Sequence, residues 1–263
     1  MRLYNSVLRR EVTPGGEAYK LYIDMLEQSH MLIAGATGSG KSVVMNGLIA
    51  TIMLSASGEK ALILIDPKRV EFSRYRWLPH TLAYAQTPSE IEATLHYAID
   101  LIEQRFQRME HHGLQKSLDG DIYILIDEFA DLMVTQQRAT LPLIIRIAQL
   151  GRAANIHLFL ATQRPTRDII TGQIKVNMDA RLALRVPTSQ DSRNIIDVNG
   201  AEFLPRWGEG YYLTPETMRP LHVEEPMVTG DVIQHRLNHW HAQTGVSEHH
   251  TRRWWNRRKR AEE

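Results

Sequence analysis

Five short runs of almost unbroken apolar residues constrain this chain more than any other feature: MLIAG at 31–35, ALILID at 61–66, IYILID at 122–127, IHLFLAT at 156–162 and RLALRV at 181–186. A strand with one wet face alternates apolar and polar residues. These runs do not, which is the pattern of strands buried on both faces of a parallel sheet. Between them the apolar spacing lengthens to the helical period over 41–54, 88–111 and 141–153. In the second of these, Ile91, Leu95, Ala98, Ile99, Ile102, Phe106 and Met109 mark one helical face. Pro88 and Ser89 suit its start, and Gly113 lies beyond its end. Strand–helix–strand repetition with right-handed crossovers predicts an α/β fold: a mostly parallel central sheet with helices on both faces.

At 263 residues the chain can bury a sizeable core. One main domain over 28–230 is expected. It carries an N-terminal extension over 1–27 (one or two short strands and a helix around a turn at 14–16) and a C-terminal helix with a basic tail over 231–263. The absence of cysteine excludes disulfides and thiolate metal sites and fits a reducing compartment. The longest apolar run, 43–54, is interrupted by Asn46 and Gly47, whereas a membrane span needs about 20 apolar residues. The first residues lack the apolar core of a leader peptide. A cytoplasmic protein with no membrane insertion of its own is expected. The formal charge of +1 says nothing of polyanions, so any affinity for them rests on local patches.

Chemistry concentrates where the first apolar run ends. Gly35, Ala36, Thr37, Gly38, Ser39, Gly40, Lys41 and Ser42 fill the pattern G-x-x-x-x-G-K-[ST], after a strand and before a helix, as the mechanism of such a loop requires. The glycines let backbone N–H groups turn inward around phosphates, and the helix N-terminus adds its dipole. With Val43 in the first helical turn, these residues form the expected nucleotide-binding set. Lys41 would reach the β- and γ-phosphates and the Ser42 hydroxyl would ligate Mg²⁺. Asp127 ends a second buried strand and would hold Mg²⁺ through water; Glu128, one residue on, would orient and deprotonate the attacking water. A kinase whose acceptor is not water has no need of Glu128, so the pair argues for hydrolysis. A third strand tip carries Gln163, an amide within reach of a γ-phosphate or its attacking water. Asp66 and Lys68, with Glu71 nearby, end another strand beside the same site, and chemistry alone assigns them no role.

The segments AGATGSGKSVVMNGLI, LILIDPKRVEFSRYRWLPH, ILIDEFADLM, QLGRAANIHLFLATQRPTRDIITGQIKVNMDARLALRV and SQDSRNIIDVNGAEFL together resemble, in order over roughly 28–225, the motor core of FtsK/SpoIIIE DNA translocases within the FtsK–HerA group. The resemblance implies a RecA-like P-loop ATPase domain using ATP and Mg²⁺. It also implies assembly into a ring, normally a hexamer, that threads double-stranded DNA through its pore. Lys41, Ser42, Asp127, Glu128 and Gln163 fall on the family's ATP-site positions. Arg152, in GRAA, matches the arginine that family members insert into the neighbouring subunit's site. Pro205, Arg206 and Trp207 depart from the family's usual segment. The expectation is a stripped-down motor, without membrane anchor or sequence-reading winged helix, that relies on a separate loading or targeting protein.

Segment 164–193 holds six basic residues against Asp168, Asp179 and Asp191 in a chain of net charge +1. By the resemblance its loops face the pore, where Arg164, Lys175 and Arg193 would contact DNA phosphates without reading sequence. Arg181 and Arg185 share strand spacing with apolar residues and read as structural or interfacial. The basic tail around Trp254 and Trp255 is open to DNA, to a partner or to neither. The alternative function is a related coupling or secretion ATPase that moves a protein or nucleoprotein cargo.

Overall fold

The computed structural model describes residues 6–12, 18–53, 59–206, 208–224 and 238. In chain order the regular elements are β1 (Ser6–Val12), β2 (Ala18–Asp24), β3 (His30–Ala34), α1 (Lys41–Ile52), β4 (Lys60–Ile65), β5 (Thr81–Ala85), α2 (Pro88–His112) and β6 (Asp121–Ile126). They continue with α3 (Phe129–Thr135), α4 (Gln137–Leu150), β7 (Ile156–Thr162), α5 (Gly172–Asn177), β8 (Ala180–Ala183), α6 (Ser189–Ile196), β9 (Glu209–Leu213) and β10 (Leu221–Glu224). The strands form one sheet in the order β2-β1-β10-β9-β8-β3-β7-β6-β4-β5. From β8 to β5 the neighbours are parallel; β9, β10, β1 and β2 extend the sheet antiparallel.

The unbroken apolar runs serve two cores. Leu32, Ile63, Ile124 and Leu158 face a core shared with Ile91 and Leu95 of α2 and Ile144 and Ile147 of α4. The intervening Met31, Leu62, Leu125 and Phe159 face the other side, with Val44, Leu48 and Ile52 of α1. Each such side chain contributes about 1.5–3 kcal/mol by leaving water, which is why neither face tolerates the alternation of a half-wet strand.

Helix α2 starts at a capping box, with the Thr87 side chain on the Glu90 N–H and the Glu90 carboxylate on the Thr87 N–H, and ends on Gly113 at φ 64°. Its buried stripe differs from the sequence expectation in one respect. Ile99 and Phe106 are only half-buried, and Arg105 is buried instead, 6% exposed. Its guanidinium donates to the carbonyls of Ala154 at 2.5 Å, Asn155 at 3.1 Å and Gly120 at 2.7 Å. It thereby clamps the turn before β7 to the loop before β6.

Helix α4 begins four residues earlier than expected and runs through Pro142. The donor that Pro142 lacks would have paired with the carbonyl of Arg138, an exposed residue in the first turn of the helix. Strand β8 stops at Ala183 because the chain beyond it docks the glycine-rich loop: the Ala36 N–H bonds the Arg185 carbonyl at 2.8 Å. The N-terminal hairpin β1–β2 joins the same sheet through β10, and the helix expected after it is a single 3₁₀ turn at Met25–Glu27. The turn at 14–16, most of the expected helix at 231–241 and the basic tail fall outside the described residues. Among the described residues no helix is long and apolar enough to cross a membrane.

Candidate active site

The parallel half of the sheet lines up the C-terminal tips of β3, β7, β6 and β4 in that order. The glycine-rich loop, Gln163, the Asp127–Glu128 pair and Asp66 therefore stand side by side along one edge.

The loop from Gly35 to Gly40 is anchored at its entry, where the Gly35 N–H bonds the Thr162 carbonyl at 3.2 Å. A Cβ on Gly35 would stand 2.5 Å from Ser39 Oγ and 2.7 Å from Leu184 Cβ, so only glycine fits. Gly38 and Gly40 hold φ of 75° and 107°, a backbone that side-chain-bearing residues rarely adopt. Gly40 is also the N-cap of α1 and supplies no side-chain cap. The first N–H groups of the helix are thus left for an outside acceptor. The cleft over them is lined by Ala36, Gly38, Gly40, Lys41, Ser42 and Gln163, with Val43 at its side. A cradle of inward N–H groups beside a hydroxyl and a buried carboxylate fits a magnesium-bound nucleoside polyphosphate.

Lys41 and Asp127 are both buried. The ammonium donates to Asp127 Oδ1 at 2.5 Å and to the Asp127 carbonyl at 2.8 Å. Burial pushes the Asp127 carboxyl up from the usual range; the charge and hydrogen bond of Lys41 pull it back, while Glu71 and Asp66 push further upward. Ser42 Oγ donates to Glu71 Oε1 at 2.6 Å. Glu128 is 2% exposed and fully engaged. Its Oε1 accepts from Thr162 Oγ1 at 2.7 Å and from the Gln163 N–H at 3.1 Å; its Oε2 accepts from Lys68 Nζ at 3.0 Å and, more weakly, from the Gln163 N–H at 3.2 Å. Burial alone would lower the Lys68 ammonium's pKa, but the hydrogen bond and charge of Glu128, with Asp131 and Asp127 behind it, raise it above the ordinary lysine value. The Gln163 side chain accepts from Thr37 Oγ1 at 2.7 Å, so this one residue touches both the loop and the carboxylate.

Lys41, Ser42, Asp127, Glu128 and Gln163 thus converge as the sequence expectation has it. Four further neighbours were not assigned a role from sequence. Thr162 ends β7 beside Gln163, Lys68 and Glu71 reach the site from the turn after β4, and Arg206 brings its guanidinium over Gly38, 3.5 Å from where a Cβ would stand. The only sequence signal for Arg206 is its departure from the family segment.

Arg152 is not in this group. It is exposed in the turn before β7, whereas Gln163 follows the last residue of the same seven-residue strand. At 3.3 Å per residue the two lie about 20 Å apart, on opposite edges of the sheet. The DNA-contact candidates are also divided. Arg164 is exposed at the tip of β7. Lys175 is ion-paired with Asp197, which also receives Arg181 at 2.6 Å, and its ammonium reaches the Arg193 carbonyl at 3.3 Å. Arg193 donates to Asn199 Oδ1 at 2.6 Å. The two groups are joined by Asn194, whose amide donates to the Pro165 carbonyl at 2.8 Å.

A model of the FtsK/SpoIIIE family matches residues 5–121 and 119–167. The chain belongs to that family. By family and by fold it is a P-loop ATPase. It is 37% identical over 254 residues to DNA translocase FtsK of Pseudomonas putida, a match covering 82% of this chain and 30% of that protein. It is 35% identical over 246 residues to DNA translocase SpoIIIE of Bacillus subtilis, covering 85% of this chain and 31% of that protein. The chain therefore spans about a third of the length of the curated relatives it matches. Among solved structures, the pCW3 conjugation coupling protein TcpA with ATPγS superposes at TM-score 0.72 and 22% identity, over 90% of this chain and 71% of that one. EssC ATPases 2 and 3 from Geobacillus thermodenitrificans superpose at TM-score 0.75 and 18% identity, over 90% of this chain and 49% of that one. At those identities the structural matches speak for the fold.

Proposed function

We propose that this FtsK/SpoIIIE chain is the ATP-hydrolysing motor unit of a ring, six copies by the family resemblance, that moves double-stranded DNA. The observation that carries the reading is the position of Arg152. It lies too far from its own Glu128 to act there and is exposed on the opposite edge, so it completes a hydrolytic site only in a neighbouring copy.

In this reading Lys41 would leave Asp127 for the nucleotide's phosphates and the Ser42 hydroxyl would leave Glu71, so that Asp127 and Ser42 would be the residues to hold Mg²⁺. Bound Mg²⁺ neutralises phosphate charge and fixes the phosphates in line for attack. Glu128 takes a proton from the attacking water. Gln163, tied to both the loop and Glu128, reports the state of the site to the following residues, and the Asn194–Pro165 bond carries that report to α6. Arg164, Lys175 and Arg193 are the proposed phosphate contacts, with Lys175 and Arg193 exchanging their present partners for DNA. The names of FtsK and SpoIIIE as DNA translocases support DNA as the cargo.

The test is steady-state ATPase activity with and without long linear duplex, at low and physiological salt. The reading expects strong stimulation by DNA, and little activity in Glu128→Gln or Arg152→Ala alone. Mixing those two variants restores part of the rate, because an intact Glu128 then meets an intact Arg152 across some interfaces. A rate indifferent to DNA, or an undiminished Arg152→Ala, contradicts it.

A further inference from the structure

The turn between β4 and β5 enters the site from the side, and its construction is specific. Asp66, fully buried, accepts from the Val70 N–H at 3.3 Å and the Phe72 N–H at 3.0 Å. The Arg69 N–H closes on the Asp66 carbonyl at 3.1 Å, with Arg69 at a φ of 62°. The backbone of Lys68 is therefore fixed, while its side chain is 41% exposed and ends on Glu128 Oε2.

On the carboxylate, Thr162 Oγ1 and the Gln163 N–H already orient Oε1. Oε2 is the oxygen left to receive a proton from water, and there the ammonium of Lys68 stands. A general base must have an unoccupied lone pair aimed at the proton it takes.

We propose that Lys68 is a positioning residue that restrains Glu128: it occupies Oε2 in the isolated chain and must swing away before hydrolysis. The inference rests on the reading of Glu128 as the base. The restraint is releasable because its moving part is a solvent-exposed, four-carbon stem on a fixed turn. A pair with one partner this exposed is worth no more than about fivefold in an equilibrium, a size suited to setting a basal rate.

The experiment measures kcat and KM for ATP with and without linear duplex DNA in wild type, Lys68→Met, Lys68→Arg and Glu128→Gln, together with the affinity for a fluorescent non-hydrolysable ATP analogue. Lys68→Met is expected to raise the DNA-free kcat about two- to fivefold and to leave analogue affinity within about twofold, since Lys68 is not in the phosphate cradle. The DNA-stimulated kcat changes little, so the stimulation ratio falls. Lys68→Arg, which keeps a cation on Oε2, keeps the low basal rate. Three results overturn the proposal: an unchanged or lower DNA-free kcat in Lys68→Met with analogue affinity intact; Lys68→Arg as fast as Lys68→Met; or a faster Lys68→Met whose gain lies in KM alone. If Lys68→Met folds poorly, Lys68→Gln decides by the same criteria. Activity surviving in Glu128→Gln overturns the assignment of the base itself and is thereby distinguished from failure of the restraint.

Discussion

Replacing Gly151 by alanine tests how tightly the helix before β7 is set against the strand it feeds. A Cβ there would stand 2.3 Å from the Ile156 carbonyl oxygen and 2.7 Å from the Ile147 carbonyl oxygen. Both are backbone atoms, so neither clash is relieved by turning a side chain. Both also belong to the joint itself: the Gly151 N–H bonds the Ile147 carbonyl at 2.8 Å, and the Ile156 N–H bonds the Gly151 carbonyl at 2.9 Å. Forcing extra atoms into a packed joint costs about 1–3 kcal/mol. Because backbone must move, the upper part of that range applies, reduced by the smaller entropy of an alanine-bearing unfolded chain, about 0.4–1 kcal/mol. A net loss of about 2–2.6 kcal/mol predicts a Tm lower by roughly 4–10 °C, read by circular dichroism. The phosphate cradle is on the far edge, so analogue affinity at low temperature should stay within about twofold, while DNA-stimulated activity falls because Arg152 is the next residue. Gly172→Ala serves as the control, since a Cβ there meets nothing within 4 Å. A Tm for Gly151→Ala within about 2 °C of wild type would refute the reasoning.

Two other perturbations follow from buried polar groups. His30 is 2% exposed, its Nδ1 accepts from the Leu158 N–H at 3.1 Å, and its pKa is lowered from 6.5 to about 4, chiefly by burial and then by the charges of His157 and Arg152. Below pH 6.5 the unfolded chain takes up a proton that the folded chain refuses, so stability falls between pH 6.5 and 4, by about 2 kcal/mol at pH 5. Urea unfolding at pH 7 and pH 5 should show this loss, and His30→Gln should remove that part of it. The lowered carboxylates Asp119 and Asp121 begin to cost stability only near pH 4 and below, as they protonate, so the two windows separate. Arg105→Met leaves the Ala154 and Gly120 carbonyls without their donor, while the Asn155 carbonyl keeps the Ile122 N–H, and should cost about 3 kcal/mol in urea unfolding, with Arg105→Lys recovering only part because an ammonium cannot span all three; a loss under about 1 kcal/mol refutes the clamp.

What was legible in the sequence was local. The unbroken runs at 31–35, 61–66, 122–127 and 156–162 declare their burial without reference to partners, and the loop from Gly35 to Ser42 carries its own backbone requirements. What was missed depends on groups brought together by folding. Phe106 is a natural member of an apolar stripe, and only the carbonyls of residues 120, 154 and 155 make Arg105 the buried choice. The strands β5, β9 and β10 are short, and β9 and β10 take their places in the sheet from β8 and from β1 at the other end of the chain. Thr162 ends an apolar run and looks inert until β6 places Glu128 beside it. Lys175 reads as a free cation, yet Asp197, the left-handed C-cap of α6, meets it from 22 residues away.

The central claim is that hydrolysis completed between copies moves duplex DNA. Its most direct measurement is displacement of a third strand from linear duplex by this chain with ATP. The account predicts displacement with ATP and none with a non-hydrolysable analogue or with Glu128→Gln. DNA-stimulated hydrolysis that leaves the third strand bound would contradict it.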